Sequence, residues 1–122
     1  EVAEGMIETS RKVRYVRNIL VDAENTEFIA VTIPEEMAIR ETAKLLEGLK
    51  RLTIPCHNII INKVIPPNKC SFCSRISQEQ QRYITQVKKD RRREYRVAEL
   101  RLFPHKIKGI EDLTALSNAV YG

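Results

Sequence analysis

Residues 28–62, FIAVTIPEEMAIRETAKLLEGLKRLTIPCHNIIIN, place two short apolar runs on either side of a longer amphipathic stretch, and that alternation decides the fold. Phe28-Ile29-Ala30-Val31-Thr32-Ile33 is nearly continuous in apolar, β-branched residues, which predicts a strand buried on both faces. In the stretch that follows, Pro34 suits a first helical position. Glu35 and Glu36 fall in the first turn, where the positive end of the helix dipole favours them. Ala38, Leu45, Leu49 and Leu52 form an apolar stripe, Lys50 and Arg51 occupy the last turn, and Pro55 is a stop. Asn58-Ile59-Ile60-Ile61-Asn62 is a second strand of the buried type. Strand, helix and strand in this order make a βαβ unit, which within one sheet is parallel and right-handed.

Upstream, residues 1–21 predict an amphipathic helix, with Val2, Met6, Val13, Val16 and Leu20 on one side and Arg11, Arg14 and Arg17 on the other. Asp22-Ala23-Glu24-Asn25 breaks its pattern. Downstream, Ile65-Pro66-Pro67-Asn68-Lys69 is a loop, because consecutive prolines donate no ladder bonds. After Cys70-Ser71-Phe72-Cys73 a helix runs to about Lys89, carrying Ile76, Tyr83 and Val87. The alternation over 95–102 reads as a strand near the sheet edge, 103–108 as a loop, and Gly109 or Ile110 as the start of a last helix with Leu113, Leu116 and Val120 on its apolar side. The class is α/β, with no repeat and no internal domain boundary.

The chain has 122 residues, of which 43% are hydrophobic and 30% charged, so it is one globular domain or part of one. Lys and Arg number 21 against 16 Asp and Glu, a net charge of +5 that permits nucleic-acid, membrane-surface or phosphate partners without choosing among them. The densest basic run, Lys88-Lys89-Asp90-Arg91-Arg92-Arg93, has no interleaved aromatics to stack bases, so it reads as a solvated helix end and nucleic acid ranks last among the partners. There is neither an apolar stretch of membrane-spanning length nor a signal-peptide pattern. Residue 1 is not Met, so it is not expected to be the natural start. Three cysteines, an odd number, favour a reducing cytosol over a secreted disulfide framework.

The pair Cys70 and Cys73 is the most specific local feature. Two thiolates two residues apart can hold one soft metal ion, but structural zinc wants four ligands. A second chain related by a twofold axis would complete a site of four cysteines. A redox pair and two unremarkable cysteines remain as alternatives; the preceding Pro-rich loop fits redox use less well than a helix N-terminus would. Asn62 ends a buried strand, where ligands of parallel sheets bind. Its amide could pair with the edge of adenine or simply cap a turn. Glu35, just beyond the first strand, could contact a nucleotide or only complement the dipole. The chain contains no G-x-x-x-x-G-K-[ST] phosphate loop, no H-E-x-x-H and no acidic magnesium cluster, so taken alone it is catalytically incomplete.

In combination, TEFIAVTIPEEMAIRETAKLLEGL (26–49), IPCHNIIINKVIPPNKCSFC (54–73) and KGIEDL (108–113) resemble the C-terminal part of the ArsA-like ATPases. That family includes the arsenical-pump-driving ATPases and the ATPases that deliver tail-anchored membrane proteins. The resemblance implies a P-loop NTPase fold, a parallel sheet flanked by helices, working as a nucleotide-gated homodimer with ATP and magnesium. Residues 1–25 would be the end of a helical insertion on the cargo-groove side, and 26–122 the C-terminal part of the ATPase domain. Glu35 matches a glutamate that approaches nucleotide at the dimer interface, and Asn62 matches an asparagine that recognises adenine. Cys70 and Cys73 match a pair that binds zinc together with its copies in the second subunit. Arg101, Leu102, Phe103, Pro104, His105, Lys106, Ile107 and Lys108 match the loop that closes over adenine.

Two departures accompany the match. Relatives usually begin that loop Pro-Leu and carry an acid before the basic-Gly step, where this chain has Arg101-Leu102 and Lys106. The phosphate loop, the switch regions and the catalytic aspartate lie N-terminal in the family, so the chain is expected to be a C-terminal segment whose partner is the N-terminal ATPase portion. The cysteine pair points to the branch that carries the hydrophobic helix of a membrane-protein cargo. The alternatives are a subunit driving a membrane arsenite pump and, from another class, a basic metal-binding nucleic-acid module.

Overall fold

The computed structural model describes residues 1–122. Seven elements follow one another: α1 (Val2–Val21), β1 (Ile29–Thr32), α2 (Glu36–Arg51), β2 (Asn58–Val64), α3 (Ser71–Arg91), β3 (Arg96–Arg101) and α4 (Gly109–Tyr121). The strands form one parallel sheet in the order β1-β2-β3, with Ala30 opposite Ile59 and Ile59 opposite Val97. The expected βαβ unit is present, and a second one, β2-α3-β3, follows it.

Alternation along the strands sends Ala30, Thr32, Ile59, Ile61 and Val97 to the face covered by α2 and α3. There Ala30 and Ile59 pack with Leu46, Leu49 and Tyr95, Ile61 packs with Val64, Ile84 and Val87, and Val97 touches both groups. Val64 reaches this face because the pairing slips between Ile61 and Val64, where Lys63 takes φ 57° and adds one residue to the strand. The other face carries Ile29, Ile60 and Ala98, with Val120 and Tyr121 of α4 beside them.

Four expectations change at this level. β1 is buried on one face only: Ile29 and Val31 are 38% and 57% exposed, because α4 lies over β3 and leaves β1 uncovered. On α2 the buried leucines are Leu46 and Leu49, whereas Leu45 and Leu52 are exposed. The helix also starts two residues after Pro34, which is itself buried ahead of it, with Glu35 in the N-cap position. Finally, α3 begins at Ser71, so Cys70 takes the N-cap position and Cys73 lies within the first turn.

Helix α2 ends in a tight reversal. Ile54 N–H donates to Leu49 O and Thr53 N–H to Lys50 O, with Thr53 at φ 57° and Ile54 folded back onto the cluster that contains Leu49. This double closure satisfies carbonyls that the helix end would otherwise leave orphaned, at a position where glycine is the usual occupant. Helix α1 is exposed along its length until Leu20, and it is anchored only at its C-terminal end. There Thr26 Oγ1 donates to Ile19 O at 2.7 Å and Asp22 Oδ2 accepts from Asn25 Nδ2 at 2.7 Å. No helix is long and apolar enough to cross a membrane.

Candidate functional site

Because all three strands run the same way, their carboxyl ends lie along one edge, and α2, α3 and α4 all begin there. Each helix start directs unpaired N–H groups and the positive end of its dipole toward that edge. Glu35 stands there as the exposed N-cap of α2, its own N–H bonded to Ile33 O at 2.8 Å and its carboxylate free of any capping bond. Asn62 sits at the end of the regular pairing of β2, half-buried. Its Oδ1 accepts the Lys63 N–H at 2.8 Å. An amide oxygen has two lone pairs and its nitrogen two hydrogens, so this bond fixes the plane of the side chain and leaves an acceptor and both donors for a ligand.

The segment from Arg101 to Lys108 leaves β3 beside Asn62, since the Leu102 N–H donates to Val64 O at 2.9 Å. Arg101, Leu102, Pro104, His105, Lys106 and Lys108 are exposed, while Phe103 and Ile107 are half-buried and hold the loop to the body. Asp112 ties its far end: Oδ2 accepts the Lys108 N–H at 2.8 Å and Oδ1 lies 3.2 Å from His105 Nε2. The Lys108 N–H first, and the His105 ring second, hold the Asp112 carboxyl below the usual carboxylate range. Glu35, Asn62 and the 101–108 segment are thus brought to one edge by the topology. The bonds that shape the edge, from Leu102 to Val64 and from Asp112 to the loop, carry no local sequence signal. Asp112 could have been suspected only as an acid in the first turn of α4.

Cys70 and Cys73 lie at the same edge, one helical turn apart. The backbone N–H of Cys73, then its thiol, then the N–H of Phe72 face the Cys70 sulfur and lower its pKa, whereas a thiolate at Cys70 raises that of Cys73. The expectation that the helix starts only after Cys73 is corrected: the pair does follow the Pro-rich loop, but Asn68 Oδ1 accepts the Cys70 N–H at 2.9 Å and α3 opens at Ser71. This puts both cysteines at a helix N-terminus, the setting that redox use of the pair also requires. The chain brings no third His, Cys, Asp or Glu to the pair. Cys56 stands before β2, at the opposite edge, across a seven-residue strand that spans roughly 20 Å. Burial raises its pKa. Two thiols are half of the ligand set that a tetrahedral structural zinc site requires.

The opposite edge is closed by internal bonds. Glu27 accepts the His57 N–H at 2.7 Å and Asn58 Nδ2 at 3.0 Å through one oxygen, and its other oxygen lies 2.9 Å from His57 Nδ1. Lys50 bonds Glu94, with its ammonium also over the Tyr95 ring. The basic run at the end of α3 borders this edge, away from Asn62.

The sequence model of the anion-transporting ATPases matches residues 1–122. The chain belongs to that family. Among its relatives, the Arabidopsis thaliana protein named ATPase GET3C is 34% identical over 92 residues, 74% of this chain and 24% of that protein. A Dictyostelium discoideum protein named ATPase ASNA1 homolog is 33% identical over 121 residues, 96% of this chain and 36% of its own length. A Chlamydomonas reinhardtii protein named ATPase ARSA1 is 32% identical over 81 residues, 66% of this chain and 10% of its own length. The chain thus spans between about a quarter and about a third of the first two relatives. The three-stranded parallel sheet with its flanking helices is compatible with part of a P-loop NTPase fold, as expected of this family.

Proposed function

We propose that this chain is the C-terminal part of the nucleotide-binding unit of an ArsA-like ATPase and supplies its adenine contacts. The observation that carries the reading is the meeting of Asn62, Glu35 and the segment from Arg101 to Lys108 along the edge where the strands end. Ligands of open parallel sheets settle there. In this reading Asn62 reads the adenine edge, the 101–108 segment closes over the base, and Glu35 faces the nucleotide across a homodimer interface. The phosphates and magnesium are handled by the N-terminal portion of the unit. Lys106, where relatives carry an acid, leaves the closing loop more basic.

Cys70 and Cys73 supply two of four thiolates to a zinc ion shared with a second subunit. Chelation by thiolate requires loss of both protons: the lowered pKa of Cys70 favours the first loss, and the raised pKa of Cys73 leaves the second to be driven by the ion. The parent protein targets tail-anchored membrane proteins in the cytoplasm, with the exposed apolar side of α1 (Val2, Met6, Val13 and Val16) contributing to the surface that receives a hydrophobic helix.

Two measurements test this. The chain alone is expected to show no magnesium-dependent ATP turnover, because nothing in it cradles phosphates; turnover that is lost in Asn62→Ala overturns the division of labour. Native mass with metal analysis is expected to give one zinc per two chains in the full-length gene product. One zinc per single chain, or none with zinc in excess, overturns the shared site.

A further inference from the structure

The segment between Asn62 and the cysteine pair is fastened to α3 by a ladder of side chains. Ser74, Ser77 and Gln80 stand three residues apart on one side of the helix. Ser74 Oγ donates to Asn68 O at 3.1 Å and Ser77 Oγ to Ile65 O at 3.3 Å. Gln80 makes two bonds: its Nε2 donates to Lys63 O at 3.1 Å and its Oε1 accepts the Ile65 N–H at 2.8 Å. Beyond the slip in pairing the neighbouring strand no longer serves these backbone groups, and the Gln80 amide takes its place as a one-residue stand-in for a strand.

Lys63 is the residue so held, and its backbone lies in the left-handed region, which costs an L-residue about 1–2 kcal/mol. Its N–H is also the donor that fixes the Asn62 amide. Geometry therefore passes from Gln80 to the Lys63 peptide and from there to the plane of the Asn62 side chain. We infer that Gln80 is a positioning residue for base recognition: it holds the Lys63 backbone so that the Asn62 amide meets the edge of adenine in one orientation. The inference rests on the adenine reading of Asn62 proposed above. It assigns Gln80 no contact with the nucleotide.

The test uses the full-length gene product and equilibrium binding of ADP and GDP. These probes share their phosphates and differ at the edge that Asn62 reads. Guanine offers an acceptor where adenine offers an amino donor. Wild type is expected to prefer ADP. Gln80→Leu, which keeps the side chain's bulk and removes both bonds, is expected to cut that preference about tenfold, with GDP affinity changed less than about twofold. Gln80→Glu keeps an acceptor for the Ile65 N–H, loses the donor to Lys63 O, and is expected to lie between. Asn62→Ala should match Gln80→Leu, and the double variant should lose no more than either alone, because both act through one contact.

An undiminished ADP preference in Gln80→Leu, with the preference gone in Asn62→Ala, leaves the adenine reading standing and overturns the role of Gln80. Equal weakening of ADP and GDP by Gln80→Leu overturns it too, since a purely structural defect would do that. Lack of any base preference in wild type, or a preference that survives Asn62→Ala, overturns the adenine reading itself and with it the inference. Should Gln80→Leu fail to fold by circular dichroism, Gln80→Glu carries the same outcomes.

Discussion

The two edges of the sheet are built from the same three strands and differ in how their polar groups are used. Where the strands begin, Glu27 alone takes up the His57 N–H, the His57 ring and the Asn58 amide, and Lys50 is matched with Glu94. Where the strands end, the Glu35 carboxylate caps nothing, Asn62 spends one acceptor on its neighbour, and two thiols stand without further ligands. The first edge commits these groups to itself; the second, although Asp112 and the Gln80 ladder fasten its loops, keeps Glu35, Asn62 and the thiols in reserve. Polar groups that folding leaves open are the ones a ligand can use, so substitutions at the two edges should act on different observables.

The largest effect expected at the closed edge is a gain. Thr53 closes α2 at φ 57°, where a β-branched residue is strained and glycine is not. Thr53→Gly is expected to stabilise the fold by about 1 kcal/mol, the relief of strain exceeding the added freedom of the unfolded chain. Urea unfolding that shows a loss instead contradicts a strained closure at Thr53. Nucleotide binding should be untouched.

Somewhat smaller is the effect of Glu27→Ala, which removes the acceptor shared by β1 and β2. Because the carboxylate is more than a third exposed, the loss is expected at about 0.5–1 kcal/mol rather than the full value of three bonds. The bond from the His57 ring is the main reason the Glu27 pKa is lowered from 4.5. A depressed carboxylate contributes stability above its unfolded value and loses that contribution as pH falls through its folded value. The difference in stability between wild type and Glu27→Ala should therefore be steady above about pH 5 and shrink on acidification below about pH 4. A difference that grows on acidification would mean that folding raises the Glu27 pKa instead of lowering it.

The subtlest contrast is between thiols. Cys70, aided by N–H groups at the start of α3, should react with iodoacetamide at neutral pH before Cys56, whose thiol burial holds in the protonated form. Mass spectrometry of partially alkylated protein locates the first adduct, and labelling at Cys56 first would mean that the two edges are not distinguished in this way.

Much of the frame was legible because it depends on local pattern. Runs such as Asn58-Ile59-Ile60-Ile61 and the caesura at Ile65-Pro66-Pro67 announce strands and breaks without knowledge of neighbours. The register of α2 was not: Leu45 and Leu46 are adjacent, either gives an apolar stripe with Leu49, and only packing against Ala30 and Ile59 selects Leu46. Burial of β1 on both faces was expected from its composition. The composition allows that, but α4 packs on β3 and no element of this chain covers Val31.

At the candidate site, the placement of Asn62 and Glu35 followed from strand ends. The clamp from Gln80 to Lys63 could not be read, because it joins residues 17 positions apart through backbone groups that any sequence possesses. Likewise two of the three left-handed positions are Thr53 and Lys63 rather than glycines, so composition held no sign of them.

Helix α1 has a mechanical consequence. It is 20 residues long, about 30 Å, and bonds among Ile19, Asp22, Asn25 and Thr26 set the angle at which it meets the segment leading into β1. Such an arm acts as a lever: a tilt of about 10° at that junction sweeps the far tip, near Val2, through about 5 Å. Small adjustments where the chain enters the sheet would thus be amplified into a large excursion at Val2 and Met6.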